Sequence, residues 1–194
     1  VGGGYVGAEL STAFASMGCD VTVIEALDGI LPRYERDLVR PVRRKAEDAG
    51  VEFRTGVEAV EWDDGVVTDE GHVDCDAVLV AVGREPATDG AGLNEAGVVT
   101  DEDGFVETDD HGRTSNPRVF AGGDAAGEPM LAHAAADEGR VAAEVVAGGD
   151  ASVADAVPEV VYTSPEIATV GLTEKEARDG GMEPLVGEIR VGTN

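Results

Sequence analysis

The sequence opens with Val1-Gly2-Gly3-Gly4-Tyr5-Val6-Gly7, in which three glycines have the spacing G-x-G-x-x-G. In such a turn Gly2 allows a tight change of direction, Gly4 lets the backbone approach a diphosphate, and Gly7 lets the next helix lie close on the strand. The N–H groups that begin that helix then face the phosphates. A glycine-rich turn alone is weak evidence, so the residues that follow it decide its meaning.

The residues after the turn alternate between helical and strand patterns. A helix is predicted over residues 7–18 and a β-branched strand over 21–24, followed by a helix over 38–49 and a strand from 51–53. The apolar positions of the first helix are Val6, Leu10, Phe14 and Met17. This β-α-β-α-β order predicts a nucleotide-binding α/β domain with a parallel sheet.

Two further segments complete the predicted domain. Residues 57–62 and 65–68 alternate apolar and acidic residues, which favours a β-meander. Residues 76–82 (DAVLVAV) are apolar almost throughout, which predicts a strand covered on both faces.

Glu25 lies at the end of the strand predicted over 21–24, 18 residues after Gly7. A carboxylate there can accept hydrogen bonds from both ribose hydroxyls of an adenosine and would repel a 2′-phosphate, which favours NAD over NADP. Arg33 and Arg36 are the features that favour NADP, but they come well beyond the strand end.

A second motif, Thr114-Ser115-Asn116-Pro117-Arg118-Val119-Phe120-Ala121-Gly122-Gly123-Asp124, resembles a flavin-binding signature of the pyridine nucleotide–disulfide oxidoreductase family. Residues 119–121 are expected to form a short buried strand. The resemblance implies that Asp124 meets the ribityl or pyrophosphate region of FAD. Residues 129–133 and the alanine-rich helix that runs to Ala147 resemble the family's helix that faces the flavin with its N-terminus.

Other segments extend the resemblance. Residues 81–86 resemble the family's link from the NAD domain back to the FAD domain, with Ala87 where the family often has Asn. Residues 157–174 resemble the opening strands of its dimerisation domain, and Thr173 is expected to cap a helix. The expected NAD contacts are Gly2, Gly3, Gly4, Tyr5, Val6, Gly7, Ala8, Glu9, Glu25, Val57 and Gly83. The expected FAD contacts are the carboxylate of Asp124 and, mainly through main chain, Met130, Leu131, Ala132 and His133. His133 is not assigned as a base.

The resemblance implies an α/β fold class with three parts. These are a Rossmann-like NAD-binding domain with parallel sheet and β-meander (1–113), the C-terminal part of an FAD-binding domain (114–150), and the start of an α+β dimerisation domain (151–194). Both ends of the sequence are interpreted as cut, since only Val1 precedes the glycine turn and an alternating pattern at 188–191 stops at residue 194.

Within the family the dihydrolipoamide dehydrogenase branch is favoured, which implies FAD and NAD as cofactors and dihydrolipoamide, carried on a 2-oxoacid dehydrogenase complex, as substrate. The family's redox cysteine pair and its histidine–glutamate base are expected outside residues 1–194, so no catalytic residue is assigned and the isolated chain is expected to be inactive. Alternatives are mercuric reductase or another flavin disulfide reductase, a stand-alone NAD-binding module, and a structural dimerisation fragment. The parent is expected to be a homodimer.

Composition limits the partners. The formal net charge is -26, the acids are spread along the chain, and lysine occurs only twice. This pattern fits a cytoplasm of very high salt, where counter-ions screen self-repulsion. No basic stripe is present to meet nucleic acid, and no apolar run is long enough to cross a membrane. Cys19 and Cys75 are expected to be buried and unreactive, no metal site is expected, and a cytoplasmic location is predicted.

Overall fold

The computed structural model describes residues 1–189. The first elements are α1 (Tyr5–Ser16), β1 (Val21–Glu25), α2 (Arg36–Asp48) and β2 (Val51–Thr55). The predicted alternation of helix and strand is confirmed, and each boundary lies within two residues of its prediction. The α/β fold class is confirmed with it.

Strands β1 and β2 form a parallel pair, with Val21 opposite Val51. The glycine turn begins beside β1, because Gly2 N–H donates to the carbonyl of Ile24 over 2.8 Å. Helices α1 and α2 both contact this pair of strands. The turn, the start of α1 and the carboxyl end of β1 therefore lie together.

The prediction of a strand over 76–82 is wrong, because these residues form no strand in the structure. Ala81 N–H donates to the carbonyl of Val1 over 2.8 Å, but Val80 and Val82 are 67% and 70% exposed. A strand of a parallel sheet needs hydrogen bonds and apolar cover from its neighbours. Within residues 1–189 the segment is hydrogen-bonded to Val1 alone, and Val78 packs against the cluster that contains Ile24 while Val80 and Val82 stay exposed.

After β2 the chain forms a three-stranded antiparallel meander of β3 (Ala59–Trp62), β4 (Val66–Thr68) and β5 (Gly71–Val73). The meander predicted from residues 57–62 and 65–68 is confirmed in β3 and β4, and β5 was not predicted. Its valines Val66 and Val73 pack with Ile24 and Val57 in one buried cluster. The meander therefore covers the carboxyl end of β1 from one side.

The later part of the described chain contains a 3₁₀ helix (Gly123–Ala126), α3 (Ala132–Val146), β6 (Glu159–Val161), β7 (Ile167–Thr169) and α4 (Glu174–Asp179). The predicted cap at Thr173 is confirmed, because its hydroxyl accepts from Glu176 N–H and the Glu176 carboxylate accepts from Thr173 N–H. The short strand expected over 119–121 is wrong: only an isolated bridge joins Phe120 to Arg113, and these residues are half-buried. One isolated bridge is too little pairing for a strand, so residues 119–121 are not part of a sheet.

The β6–β7 hairpin packs directly on the α/β unit. Val161 and Ile167 share a buried cluster with Ala8, Leu31 and Val42, which come from α1, the loop after β1, and α2. Residues far apart in the chain therefore form one core.

Helix α1 buries a different face from the one that its large side chains suggested. Phe14 and Met17 are 39% and 76% exposed, and the buried positions are Gly7, Ala8 and Ser11. The helix lies so close to the glycine turn that a Cβ on Gly7 would be 1.9 Å from the Gly2 carbonyl oxygen. Only small residues fit such a contact.

The two cysteines behave differently. Cys75 is partly buried and packs against the cluster beneath the meander. The expectation that Cys19 is buried is wrong, because it is exposed in the turn that leads from α1 to β1. That turn follows the Gly18 helix end and points away from the core.

No helix within the described range 1–189 is long and apolar enough to cross a bilayer. The pattern noted at 188–191 and the last residues of the segment 151–194 lie largely outside the described residues, which end at Ile189.

The core contact of the hairpin can be tested at Val161, which is fully buried. We expect Val161→Ala to lower the free energy of unfolding by about 2 kcal/mol, because it removes buried methyl groups and leaves a cavity. The measurement is denaturant unfolding at high salt. Val170→Ala is the matched control, because Val170 is 61% exposed just after β7. Equal effects of the two substitutions would contradict the shared core.

The close approach at Gly7 can be tested by adding one methyl group. We expect Gly7→Ala to destabilise the protein by at least about 1–3 kcal/mol, because the new Cβ collides with rigid backbone. Gly139→Ala in α3 is the control, since a Cβ there would meet nothing within 4 Å. Because alanine is the better helix former, this control should stabilise by about 0.5–1 kcal/mol. Thermal melts that move in the same direction for both variants would count against the packing described.

Candidate dinucleotide-binding site

The Glu25 carboxylate is the centre of the site. Its Oε2 accepts a hydrogen bond from Gly3 N–H over 2.6 Å, and its Oε1 accepts one from Leu27 N–H over 2.8 Å. The residue is 9% exposed. A buried carboxylate must be hydrogen-bonded, and here its two partners are backbone groups of the glycine turn and of the loop after β1.

The glycines shape the turn in distinct ways. Gly2 has φ +101°, and a Cβ there would lie 2.3 Å from the carbonyl oxygen of Ala81. In contrast, a Cβ on Gly4 would meet nothing within 4 Å, so the space in front of this residue is open. Helix α1 begins at the next residue without any side-chain cap or acid in its first turn. Its first N–H groups thus have no intrahelical acceptor and are available to an anion.

A cleft of about 640 Å³ opens beside this turn. Seven of the expected NAD contacts line it: Gly2, Gly4, Tyr5, Val6, Glu25, Val57 and Gly83. The other four, Gly3, Gly7, Ala8 and Glu9, do not line the cleft. The first three of these are buried behind the turn.

Glu9 contacts another part of the chain. Its Oε1 accepts a hydrogen bond from Tyr162 N–H, at the end of β6, over 2.8 Å. In this structure its carboxylate therefore attaches the β6–β7 hairpin to α1.

The segment assigned to flavin reaches the same cleft. Met130 and Leu131 line it, and Leu131 is the residue that precedes α3, again without a side-chain cap. Ala132 is the first residue of that helix. The open N-terminus of α3 therefore lies next to the cleft, where its N–H groups can stabilise negative charge.

Asp124 lies in the 3₁₀ helix with its side chain 55% exposed. It does not line the cleft, but its Oδ2 accepts a hydrogen bond from Arg84 Nη1 over 2.7 Å. The preceding Gly123 N–H donates to Glu138 Oε2 over 2.5 Å. Glu138 on α3 thus holds the turn that presents Asp124.

His133 is placed away from the cleft and lines a second cavity of about 320 Å³. Its Nε2 lies 2.7 Å from the carbonyl oxygen of Pro158. Because a carbonyl can only accept, Nε2 carries the proton in this contact. The ring therefore anchors the segment before β6.

The cationic side of the cleft is neutralised by carboxylates. Arg33 Nη1 lies 2.9 Å from Glu128 and Nη2 lies 3.9 Å from Glu159. The hydrogen bond to Glu128 raises the pKa of Arg33 above its usual value. Burial, with the adjacent Glu159 carboxylate, raises the pKa of Tyr34 to about 12. The charge of Arg33 is therefore partly offset by two carboxylates of the chain itself.

Sequence reasoning missed the residues that join the segments, namely Arg84, Glu138, Glu128 and Glu159. Arg84 follows a glycine that was singled out, so its position was the one available signal. The carboxylates had none, because the chain carries 40 acidic residues spread along its length. Among residues 1–189, no group of three or more His, Cys, Asp or Glu side chains is arranged to hold a metal ion.

Relatives agree with this architecture. The chain is 52% identical over 198 residues to the dihydrolipoyl dehydrogenase of Halobacterium salinarum, a match that covers 96% of this chain and 42% of that protein. It is 50% identical to dihydrolipoyl dehydrogenase 2 of Haloarcula marismortui, which covers all of this chain and 43% of that protein. The chain thus spans less than half the length of the curated relatives it matches.

Solved structures show the same fold. The HOCl-induced flavoprotein disulfide reductase RclA of Escherichia coli superimposes with a TM-score of 0.84 at 30% identity, over 93% of this chain and 43% of that one. The water-forming NADH oxidase of Lactobacillus brevis, bound to NADH, gives a TM-score of 0.76 at 28% identity, over 93% of this chain and 44% of that one. An engineered form of that oxidase, bound to NADPH, carries substitutions that remove an aspartate and introduce two arginines.

Two family descriptions match directly. Residues 1–139 match "Pyridine nucleotide-disulphide oxidoreductase", and residues 157–194 match the dimerisation domain of the same family. The first match alone covers more than half of the sequence, and the glycine turn, Glu25 and Asp124 all lie within it. The chain therefore belongs to the pyridine nucleotide-disulphide oxidoreductase family.

Proposed function

We propose that this chain supplies the nicotinamide dinucleotide site, and part of the flavin site, of a dihydrolipoyl dehydrogenase. The observation that carries the proposal is the cleft in which the open start of α1, the Glu25 carboxylate and the segment 130–131 meet. The two haloarchaeal relatives support the choice of enzyme, since both bear that name.

The residues present fit a dinucleotide. Gly4 leaves open space where a diphosphate would approach, and the uncapped start of α1 offers N–H groups to it. Glu25 would then accept hydrogen bonds from the adenosine ribose. We keep all eleven residues expected from the sequence as part of the proposed NAD site. Gly3, Gly7 and Ala8 do not line the cleft and would contribute by shaping the turn.

The nucleotide is proposed to be NAD. A 2′-phosphate near Glu25 would bring two negative charges together in a partly buried place. Arg33, which lines the cleft and could offset that charge, already has Glu128 and Glu159 as partners. The engineered oxidase that binds NADPH has lost an aspartate and gained two arginines, which is the change of charge that a 2′-phosphate would favour.

The flavin side is proposed to use the carboxylate of Asp124 and, mainly through their main chain, Met130, Leu131, Ala132 and His133. Asp124 is half-exposed on a turn that Glu138 fixes, so its carboxylate can accept from the hydroxyls of a ribityl chain. The start of α3 would face negative charge on the flavin. FAD and NAD would supply the hydride chemistry, while the chain's own residues bind and orient them.

Dihydrolipoamide, carried on a 2-oxoacid dehydrogenase complex, is the proposed reductant, and a homodimer the proposed assembly, which the dimerisation-domain match supports. We propose the domain limits 1–113, 114–150 and 151–194. A cytoplasmic location of high salt agrees with the two free cysteines, the net charge of -26 and the haloarchaeal relatives.

The nucleotide preference can be tested at Glu25. We expect Glu25→Gln to lower the preference for NADH over NADPH about ten-fold, because one charged hydrogen-bond acceptor and its repulsion of a phosphate are both lost. The measurement is the Kd of each nucleotide by titration at high salt. The ratio of the two values does not depend on the folded fraction, so the loss of the Gly3 and Leu27 hydrogen bonds does not confuse it. Asp28→Asn, in the exposed loop after β1, is the charge-matched control. An unchanged ratio in the Glu25 variant would remove this residue from the site.

The flavin role can be tested at Asp124. We expect Asp124→Asn to weaken FAD binding about ten-fold or more, since hydrogen bonds to a charged acceptor are the stronger ones. Flavin release on dilution, followed by fluorescence, measures the effect. Asp150→Asn removes an equal charge from an exposed position four residues after α3 and should retain FAD like the unsubstituted protein. Equal retention by the two variants would refute the assignment of Asp124.

A further inference from the structure

Arg84 contacts one residue proposed for each cofactor. Its Nη1 donates to the Asp124 carboxylate over 2.7 Å, and its Nη2 donates to the Tyr5 hydroxyl. Its guanidinium carbon also lies 5.7 Å from the centre of the Tyr5 ring. Tyr5 is the first residue of α1, and Asp124 is 119 positions later in the chain. One planar group therefore joins the glycine turn to the flavin segment.

The arrangement uses properties that only arginine has. The guanidinium is rigid and planar, so its two terminal nitrogens can donate to two different partners at once while its face lies on a ring. Arg84 follows Gly83 directly, and both residues line the cleft beside Tyr5. A ligand that reaches this part of the cleft would lie beside the Arg84 guanidinium.

The contacts contribute little to folding. The side chains of Arg84 and Asp124 are 42% and 55% exposed, and ion pairs this open to water are weak sources of stability. The consequence of the contacts is orientation: they determine where the Tyr5 ring and the Asp124 carboxylate lie relative to each other.

We propose that Arg84 is a positioning residue that couples the two cofactor sites. Flavin bound at Asp124 fixes that carboxylate, the carboxylate fixes Arg84, and Arg84 holds Tyr5 in the position that the dinucleotide meets. The dinucleotide then finds the cleft already ordered, so each cofactor increases the affinity for the other by the same factor. This inference rests on the proposed function, since it takes the cleft as the dinucleotide site.

The test measures this factor with ADP-ribose, which carries the adenosine and the diphosphate but no nicotinamide ring to touch the flavin directly. Its Kd is measured by calorimetry for the intact protein with and without FAD, at constant high salt. We expect FAD to tighten ADP-ribose binding by at least about five-fold, the lower end of typical couplings between sites. In Arg84→Gln this ratio is expected to fall to about one.

Two more variants and a control make the test specific. Arg84→Lys keeps the charge but cannot hold both partners, and Tyr5→Phe keeps the ring but removes the hydroxyl, so both should also lower the ratio. Arg140→Gln is the control, because Arg140 also joins two carboxylates, Asp137 and Glu144, but on the exposed face of α3. It should keep the parental ratio. Melting temperatures of all variants are expected to stay close to that of the parent.

The outcomes separate the two claims. If ADP-ribose binds the parent equally well with and without FAD, or if Arg84→Gln and Arg84→Lys retain the parental ratio, the coupling is refuted while the dinucleotide site stands. If ADP-ribose binds neither form, the proposed function fails and the coupling fails with it.

Discussion

The structure depends on one buried carboxylate. Glu25 ends β1 and is held by the N–H groups of Gly3 and Leu27 at 2.6 and 2.8 Å. A carboxylate at 9% exposure is stable only with such partners. These two bonds fix the glycine turn on one side and the loop after β1 on the other. The acid proposed to select the nucleotide therefore also builds the place where the nucleotide would lie.

The position of that carboxylate explains where the rest of the site gathers. In a parallel sheet the open crevice lies at the carboxyl ends of the strands, and Glu25 is the last residue of β1. The meander closes one side of this end through the cluster of Ile24, Val57, Val66 and Val73. The uncapped starts of α1 and α3 also lie beside the cleft and add positive potential to that of Arg33 and Arg84, which line it.

Arginine joins the later segments to this unit. Arg84 reaches Asp124, and Arg33 reaches Glu128 and Glu159, so two cations of the first part of the chain meet three acids of the second. In a chain with a net charge of -26 these pairs are local exceptions to general repulsion. Because the pairs are partly exposed, dissolved ions screen them. The buried contacts of Val161 and Ile167 with α1 and α2 are apolar, so ions do not screen them. These contacts hold the β6–β7 hairpin on the α/β unit.

Local patterns in the sequence were sufficient to predict most of the secondary structure. Spacing and β-branching predicted α1, β1, α2, β2 and the first two strands of the meander, because turn chemistry and periodicity act over a few neighbouring residues. Seven of the eleven residues expected to contact NAD line the cleft. Periodicity predicted the helix α1 but not which of its faces is buried. Phe14 and Met17 suggested the inner face of α1, yet the close contact at Gly7 places the small residues inside.

Features that depend on distant parts of the chain became visible only in the folded structure. Residues 76–82 have the composition of a buried strand, but a strand requires a neighbouring strand with which to pair, and within the described chain only Val1 is hydrogen-bonded beside them. The sequence did not indicate that Arg84 contacts Tyr5 and Asp124, because these residues meet only in the folded chain. Composition and periodicity do not encode which of 40 acids will face a given cation. That pairing follows from the chain path, which the packing of the whole core determines.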